Sequence, residues 1–238
     1  MKLRLDELLV RKKLVTTKSQ AKQLIEKGKV TCAGRVIEKP GYPVDEEAEV
    51  SVAAGEQYVS RGAYKLEAAI KQFKIDPKDK VIADIGASTG GFTDYLLKNG
   101  AKKVYTIDVG TDQLHPSLKT NSRVINMEGV NIRELEKLPE NIDFAVVDLS
   151  YISLRLTLPN IAKITNGPII ALLKPQFEAG PGVVGKDGVI KDQEKVETIV
   201  AEFKDWCATE NLPVSKLIPS PITGKKGNHE YLILINRK

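Results

Sequence analysis

A glycine-rich turn between an apolar run and a helical pattern is the feature that most constrains the fold of this chain. Residues 81–85 form a short apolar run, residues 86–91 contain three glycines, and residues 93–97 have the pattern of a helix. Such a strand–turn–helix unit opens α/β nucleotide-binding sheets, with the ligand at the carboxyl end of the strand. Glycine lets the backbone approach a ligand closely, where a Cβ would clash. The glycines of the turn that are predicted to contact a cofactor are Gly86, Gly90 and Gly91.

The acidic residues around this turn indicate which cofactor it binds. The glycine spacing, G-x-x-x-G-G, is neither the G-x-G-x-x-G pattern of dinucleotide sites nor the P-loop pattern. Asp84 would repel a pyrophosphate, but it suits a ligand that carries an ammonium or sulfonium group. Asp108 ends the next apolar run and is placed to bind the hydroxyl pair of a ribose. We therefore predict S-adenosylmethionine in preference to NAD or ATP.

Two further apolar runs end in charged residues. Residues 144–147 precede Asp148, and residues 169–173 precede Lys174. Near-continuous apolar runs are typical of a parallel sheet that helices cover on both faces. The carboxyl ends of its strands would bring both residues to the edge that carries the cofactor turn. The glycine-rich residues 177–189 are predicted to be a substrate lid, with a disordered surface loop as the alternative.

A helical pattern also precedes the glycine turn. Ser60 is the predicted N-cap of a helix over residues 61–73, and Lys65 lies off the apolar stripe of that helix. Taken alone, Lys65 reads as an exposed helix lysine, so its role depends on the residues that the fold brings beside it.

Positive charge is concentrated at the start of the chain. Residues 2–39 contain eleven lysines and arginines and four acidic residues, a balance of +7, so the rest of the chain carries −2 of the total of +5. Such a concentration favours a polyanionic partner, although a solvated basic surface would look the same. The same segment has helical patterns at residues 5–14 and 17–28, the second opened by a Thr17–Gln20 capping box, and short strand patterns follow it.

The motifs of this basic segment resemble a known module. Arg4-Leu5-Asp6, Ser19-Gln20-Ala21, Leu24-Ile25, Gly28-x-Val30 and Gly34 resemble the S4 RNA-binding domain over about the first fifty residues. The resemblance implies that the face of the two helices binds structured RNA. Lysines stand where arginines are frequent in that module, which keeps the charge but loses bidentate phosphate geometry. The candidate RNA contacts are Arg4, Arg11, Lys12, Lys18, Lys22 and Lys29.

The rest of the chain resembles a second family. Ser60-Arg-Gly-Ala-Tyr-Lys65-Leu66, Asp84 to Phe92, Asp148, Leu173-Lys174-Pro175 and Glu230 resemble the FtsJ-type ribose 2′-O-methyltransferases. The resemblance implies a catalytic tetrad of Lys65, Asp148, Lys174 and Glu230, and cofactor contacts at Gly90, Phe92, Asp108 and Glu128. An S4 module fused to such a domain is similar to the TlyA family, whose older label is hemolysin. That similarity implies 2′-O-methylation of cytidine in ribosomal RNA.

These resemblances define the expected architecture. We predict an α/β fold in which a Rossmann-like methyltransferase sheet, with helices on both faces, follows a small α+β S4 RNA-binding domain. The expected domains are residues 1–55 and residues 56–238, joined by a linker at residues 53–56.

The reaction assigns a role to each member of the tetrad. Transfer of a methyl group from a sulfonium needs an aligned acceptor and a group that accepts the proton of that acceptor. We predict Lys174 as the general base, with Lys65 and Asp148 tuning and positioning it and Glu230 holding the network. Each of the four could also be an ordinary surface or strand-end residue. Only their predicted location at one edge of the sheet favours a catalytic role.

Three other functions compete with this prediction. A membrane-active hemolysin would need an amphipathic or apolar insertion segment, and the sequence shows none. A catalytically silent RNA-binding protein would not need the four charged residues of the tetrad. An NAD-dependent enzyme is disfavoured by the glycine spacing.

Composition narrows the remaining classes. Two cysteines, Cys32 and Cys207, and two histidines fit no metal-binding spacing, so we expect free thiols and no metal. The first residues lack the apolar core of a signal peptide, and no stretch approaches a membrane span. A cytoplasmic protein without a membrane partner is therefore expected.

Overall fold

The computed structural model describes residues 2–26, 28–52, 58–224 and 226–236. The chain divides into two compact units, Met1–Gln57 and Tyr58–Lys238. The predicted linker at residues 53–56 lies outside the described residues.

The N-terminal unit combines two helices with two small sheets. Its elements are β1 (Lys2–Arg4), α1 (Leu5–Arg11), α2 (Lys18–Glu26), β2 (Val30–Cys32), β3 (Arg35–Val36), β4 (Pro43–Asp45) and β5 (Val50–Val52). Strand β1 pairs with β4, and β2 pairs with both β3 and β5, all antiparallel. The sequence pattern missed β4, because a three-residue strand that begins with proline has no alternation to reveal it.

Helical spacing of apolar residues builds the core of this unit. Leu5, Leu8 and Leu9 of α1 pack with Leu24 and Ile25 of α2, and all five are buried. The positive residues therefore remain on the outer surface of the two helices.

The predicted capping box is half formed. The hydroxyl of Thr17 accepts a hydrogen bond from the backbone N–H of Gln20 at 3.1 Å, as an N-cap should. The side chain of Gln20 does not return to Thr17; it accepts instead from the backbone N–H of Thr16 at 2.9 Å.

The C-terminal unit is built on a seven-stranded sheet among the described residues. Its strands are β6 (Val81–Ile85), β7 (Lys103–Asp108), β8 (Val124–Glu128), β9 (Phe144–Val147), β10 (Ile169–Leu173), β11 (Val214–Pro219) and β12 (Tyr231–Ile235). Their order is β8-β7-β6-β9-β10-β12-β11, and the first five strands in this order are parallel. The helices are α3 (Gly62–Phe73), α4 (Gly91–Lys98), α5 (Pro116–Lys119), α6 (Leu158–Ile164), α7 (Pro175–Glu178) and α8 (Gln193–Thr209), with a 3₁₀ turn at Leu154–Leu156.

Helices cover both faces of this sheet, as predicted. Every residue of β6 and of β10 is buried. Within β6, Ala83 packs in a cluster with Phe203 of α8, whereas Ile82 packs in a cluster with Leu66 of α3 and Leu96 of α4. Because successive strand residues point to opposite faces, this division shows two apolar cores, one on each side of the sheet.

Two details differ from the sequence expectations. Strand β12 is antiparallel to both β10 and β11, because the chain reverses between β11 and β12 and no helix lies among the described residues of that connection. Ser60 is not the N-cap of α3: the helix begins at Gly62, Arg61 occupies the cap position, and no side chain caps it.

Candidate active site

The predicted cofactor turn lies at the switch point of the sheet, between the carboxyl ends of β6 and β9. Gly86 follows β6 with φ of 81°, a conformation that glycine adopts without strain. A Cβ at Gly86 would lie 2.6 Å from the backbone oxygen of Asp148, so the turn and the end of β9 are in direct contact. Ligands of open α/β sheets bind at such a crevice.

The other two glycines of the turn are also required by the protein's own packing. A Cβ at Gly90 would lie 2.3 Å from Cδ1 of Leu118, and one at Gly91 would lie 2.1 Å from Oγ of Ser60. The sequence argument attributed these glycines to a tight turn and to close approach of a ligand. The φ of 90° at Gly90 agrees with the tight turn, the contacts within the protein add a further reason for glycine, and the approach of a ligand stays a prediction.

Asp84 is a buried carboxylate with spare hydrogen-bonding capacity. Its Oδ2 accepts a hydrogen bond from Thr93 Oγ1 at 2.6 Å, while Oδ1 has no partner among the described residues. Burial raises the pKa of Asp84 to about 7, partly opposed by the hydrogen bond from Thr93. A buried oxygen without a partner is costly, and a cationic donor from a ligand would satisfy it.

Asp108 and Glu128 lie side by side at the ends of β7 and β8. Asp108 accepts hydrogen bonds from the backbone N–H groups of Ser88 and Gly110, each at 2.8 Å. Glu128 accepts from the backbone N–H of Asp112 at 2.9 Å, and this bond holds the pKa of Glu128 below its usual range. These bonds connect the predicted ribose acid to the cofactor turn through Ser88.

A cavity of about 530 Å³ opens beside the turn. It brings together eight of the predicted catalytic and cofactor-binding residues: Lys65, Asp84, Gly86, Gly91, Phe92, Asp148, Lys174 and Glu230. Gly90, Asp108 and Glu128 are not part of its wall.

The four predicted catalytic residues form two ion pairs in this cavity. Lys174 Nζ lies 2.7 Å from Asp148 Oδ1, and Lys65 Nζ lies 2.6 Å from Glu230 Oε2. The side chains of Lys174 and Glu230 are 9% and 5% exposed, so both pairs are largely removed from water. Water screens such pairs much less than it screens pairs at the surface.

The sheet explains why residues so distant in sequence meet here. Strands β9 and β10 are parallel neighbours, so Asp148 and Lys174 follow them at the same edge. In the antiparallel pair of β10 and β12, Leu173 is opposite Tyr231, which places Glu230 at the end of β10 as well. Helix α3 supplies Lys65 from one face.

The predicted lid segment contributes to the cavity wall through Phe177, Val184 and Gly188. The amide of Asn228 holds it there: Nδ2 donates to the backbone oxygen of Gly188 at 2.8 Å, and Oδ1 accepts from the backbone N–H of Ile190 at 3.1 Å. Asn228 is buried and lies two residues before Glu230. Whether the segment opens and closes stays a prediction.

Ser150 and Tyr151 are among the cavity residues that the sequence analysis did not identify. Ser150 Oγ accepts a hydrogen bond from Lys174 Nζ at 2.8 Å. Tyr151, which is 92% exposed, lies with its ring centroid 5.3 Å from that of Phe177. Ser150 and Tyr151 lie shortly after the end of β9 at Val147, so their position at the ligand-binding edge was the signal that could have identified them.

The six candidate RNA contacts of the N-terminal unit have exposed side chains but different partners. Arg4 pairs with Asp6, Arg11 with Glu46 and Lys18 with Glu7, at 2.8, 2.7 and 2.5 Å, and Lys12 donates to the backbone oxygen of Ala48 at 2.8 Å. Lys22 and Lys29 have neither an ion pair nor a side-chain hydrogen bond within the described residues.

The helices and the metal-ligating residue types of the described part of the chain bear on membrane and metal binding. No helix there has both the length and the apolar character needed to cross a membrane. Over the same residues, no group of three or more His, Cys, Asp or Glu side chains could hold a metal ion. Cys32 and Cys207 are free and buried, and burial raises the pKa of Cys207 to about 12.

Comparison with known families gives the class of protein that this fold and site define. The FtsJ-like methyltransferase family matches residues 58–237, and the S4 domain family matches residues 3–50. The chain belongs to the FtsJ-like methyltransferases and, within them, to the TlyA family, in which an S4 domain precedes the methyltransferase domain.

Full-length relatives share this two-domain order. YqxC of Bacillus subtilis, described as a candidate rRNA methyltransferase, is 42% identical over 97% of this chain and 84% of its own length. The 16S/23S rRNA (cytidine-2′-O)-methyltransferase TlyA of Mycobacterium tuberculosis is 38% identical over 97% of this chain and 88% of its own. A solved structure from Streptococcus thermophilus, described as a candidate hemolysin, is 40% identical, with a TM-score of 0.74 and coverage of 100% of this chain and 89% of that one.

Proposed function

We propose that this protein transfers the methyl group of S-adenosylmethionine to a ribose 2′-hydroxyl of ribosomal RNA, on cytidine as in the relative named for that reaction. The observation that carries the proposal is the pair of buried Lys–carboxylate ion pairs in one cavity with the glycine turn. A lysine whose amine is held by a carboxylate at a substrate cavity is suited to proton transfer.

The residues present fit the proposed cofactor. Asp84 offers an unpartnered buried oxygen to a cationic group, and the turn at residues 86–92 leaves the crevice beside β6 open. Asp108 and Glu128 would hold the nucleoside part, each retaining lone pairs beyond those used by backbone donors. When bound, the cofactor supplies an electrophilic methyl group and a neutral leaving group.

Lys174 is the proposed general base. The ribose 2′-hydroxyl is a weak acid, and its oxygen must lose a proton as it takes the methyl group. Nζ of Lys174 would accept that proton, because Asp148 fixes the amine at 2.7 Å and stabilises the ammonium ion that forms.

Lys65 is proposed to stabilise negative charge on the acceptor oxygen as the proton leaves. Its ammonium group is fixed at 2.6 Å by Glu230, so it needs no reorganisation during the reaction. Glu230 is therefore proposed to position Lys65, and Asp148 to position Lys174. The sequence predicts one network of four residues. We propose instead two ion pairs that share one cavity, each with a base or cation and the carboxylate that positions it.

The aromatic pair at the cavity supports a nucleotide substrate. Tyr151 is 92% exposed and has φ of 64°, a left-handed conformation that is uncommon outside glycine. Enzymes that modify nucleotides unstack the target base and hold it against aromatic side chains. Tyr151, backed by Phe177, is proposed to contact the base of the target nucleotide in this way.

The N-terminal unit is proposed to supply general RNA affinity. Its six candidate contacts are exposed, and the charge balance of +7 over residues 2–39 would attract the phosphate backbone. Contacts to phosphates position an RNA without reading its sequence, so specificity for one nucleotide would come from the cavity.

The experiment is transfer of an isotopically labelled methyl group to ribosomal subunits and to free rRNA. We expect label in RNA, recovered after digestion as a 2′-O-methylated nucleoside, with cytidine as the methylated base. Once the position is mapped, a short RNA carrying a single 2′-deoxynucleotide at that position is the matched control and should accept no label. Label on a base, on protein, or on the 2′-deoxy control would refute the proposal.

A further inference from the structure

The amine of Lys174 has two hydrogen-bond acceptors, and the resemblance to methyltransferases accounts for only one of them. Besides Asp148 Oδ1 at 2.7 Å, Ser150 Oγ lies 2.8 Å from Nζ. We propose that Ser150 is a positioning residue that sets the direction in which Lys174 accepts a proton. This inference rests on the proposed function of Lys174 as the base.

The geometry of an amine shows why a second acceptor matters. A neutral lysine has two N–H groups and one lone pair arranged tetrahedrally around Nζ with the side-chain carbon. One acceptor orients one N–H group but leaves the other N–H group and the lone pair free to exchange places. A second acceptor removes this freedom, because both N–H groups are then occupied and the lone pair has one remaining direction.

We infer that this remaining direction faces the substrate cavity. Lys174, Asp148 and Ser150 all line it. Within the described residues, no other side chain or backbone atom is hydrogen-bonded to Nζ; the ring of Phe177 lies farther away, with its centroid at 5.9 Å. The two acceptors therefore hold the amine with its lone pair toward the space that the acceptor hydroxyl would enter.

The same arrangement serves the product of the proton transfer. The proton of the 2′-hydroxyl passes to Nζ while the oxygen–methyl bond forms and the bond from that methyl to sulfur breaks. The resulting ammonium ion has three N–H groups, and Asp148 and Ser150 already accept two of them. Ser150 thus contributes before and after the transfer without exchanging a proton itself.

The first test compares Ser150→Ala and Ser150→Thr with the wild-type enzyme in single-turnover methylation at saturating cofactor and RNA. Misplacement of a base costs about 10-fold to 100-fold in rate, so we expect a loss of that order in Ser150→Ala. Affinities for S-adenosylmethionine and RNA should remain, and Ser150→Thr, which keeps the hydroxyl, should restore most of the rate. Ser122→Ala, which removes an exposed serine hydroxyl outside the cavity, is the control and should behave as wild type.

The pH profile separates positioning from a change of base. A lysine accepts a proton only in its neutral form, so the methylation rates of the wild type and of Ser150→Ala should both rise with pH, the variant to a lower plateau. A wild-type rate in Ser150→Ala would overturn the proposal. So would equal losses in the alanine and threonine variants, or a loss confined to RNA affinity.

A second measurement does not depend on methylation. In protein labelled with ¹⁵N at lysine side chains, the Nζ protons of Lys174 should exchange with water faster in Ser150→Ala than in the wild type, because one hydrogen bond is gone. Unchanged exchange would refute the positioning role. A different outcome would separate this inference from the proposed function. Exchange that is slow in the wild type and faster in Ser150→Ala would support the positioning role, even if the wild-type enzyme methylated no RNA. In that case the proposed substrate would be wrong.

Discussion

Both units of this chain pair basic side chains with carboxylates, but two exposed pairs of the N-terminal unit and the two cavity pairs of the methyltransferase unit have opposite surroundings. In the N-terminal unit, the side chains of Arg11 and Glu46 are 57% and 33% exposed, and those of Lys18 and Glu7 are 52% and 40% exposed. Water and salt screen such pairs, and they contribute little to net stability.

In the methyltransferase unit, two of the ion pairs lie inside the cavity. The side chains of Lys65 and Glu230 are 12% and 5% exposed, and those of Lys174 and Asp148 are 9% and 26% exposed. Removing one partner of such a pair leaves an uncompensated charge away from water, which costs far more than breaking a surface pair.

The difference separates two uses of the same interaction. Exposed cations can exchange a protein carboxylate for an RNA phosphate at little cost, so they are suited to graded, salt-dependent affinity. Cations held inside a cavity keep their partners and are suited to fixed geometry during a reaction. We therefore expect large effects from changes in the cavity and small, additive effects from changes in the N-terminal unit.

The largest effect is expected from Lys174→Arg. Arginine keeps the positive charge but stays protonated at any workable pH, so it cannot accept the proton. We expect the single-turnover rate to fall by about 100-fold or more, without rescue at high pH, while cofactor and RNA still bind. Lys163→Arg, an exposed lysine of α6, is the control and should leave the rate unchanged.

Near-normal turnover by Lys174→Arg would contradict the assignment. Lys174 would then be an orienting cation, and the proton would leave to water or to Lys65. The contrast between the two units would survive, but the buried pair would act through charge alone.

A smaller effect is expected in the pH dependence of cofactor affinity. Burial raises the pKa of Asp84 to about 7, so this carboxyl ionises near neutral pH. Only its ionised form attracts a cationic ligand strongly. Affinity for S-adenosylmethionine, measured by calorimetry, should therefore rise from about pH 6 to about pH 8 in the wild type. In Asp84→Asn, the affinity should be weaker and independent of pH over that interval.

The same ionisation predicts a stability change of known sign. The folded-state pKa lies above the ordinary value of 3.8, so the folded protein retains a proton that the unfolded chain has released. The stabilising contribution of protonated Asp84 is complete below about pH 4 and disappears as pH rises through about 7. In urea unfolding, the free energy of unfolding of Asp84→Asn should not show this loss of stability as pH rises. Asp205→Asn, an exposed control on α8, should show the same loss as the wild type. Identical pH curves for all three proteins would contradict the prediction.

Comparison of particular elements shows what the sequence could predict. The buried runs of β6 and β10 revealed a sheet covered on both faces, because strands buried on both sides contain almost no polar residues. Asp148 and Lys174 could be placed at one edge for the same reason. Strand β4 could not be predicted, because its pairing with β1 joins residues about forty positions apart without a local signal.

The details of the candidate site depended on tertiary contacts. Which carboxylate pairs with which lysine is set by the register of β10 and β12 and by the placement of α3, and neither is encoded locally. The position of Ser150 after β9 could place it at the ligand-binding edge, but its 2.8 Å contact with Lys174 could not be predicted from the sequence. The hydrogen bonds of Asn228 with residues 188 and 190 likewise join segments about forty positions apart, so the sequence gives no local signal for them.

The smallest effect is expected in the salt dependence of RNA affinity. It is tested by two double variants of the N-terminal unit, one at unpaired and one at paired cations, that remove the same charge. Lys22 and Lys29 have no ion pair among the described residues, whereas Arg11 and Lys18 are paired with Glu46 and Glu7. Removing one cation that binds an RNA phosphate lowers the slope of log Kd against log salt by roughly 0.7 to 0.9. We expect Lys22→Gln with Lys29→Gln to lower this slope by nearly two such steps for rRNA. Arg11→Gln with Lys18→Gln removes the same charge but should lower the slope less, because those cations must first leave their carboxylates.

Both variants should retain wild-type affinity for S-adenosylmethionine. An equal decrease of slope in the two variants would show that exposed pairs exchange for phosphate without cost. An unchanged slope in both would remove this face of the N-terminal unit from the RNA interface.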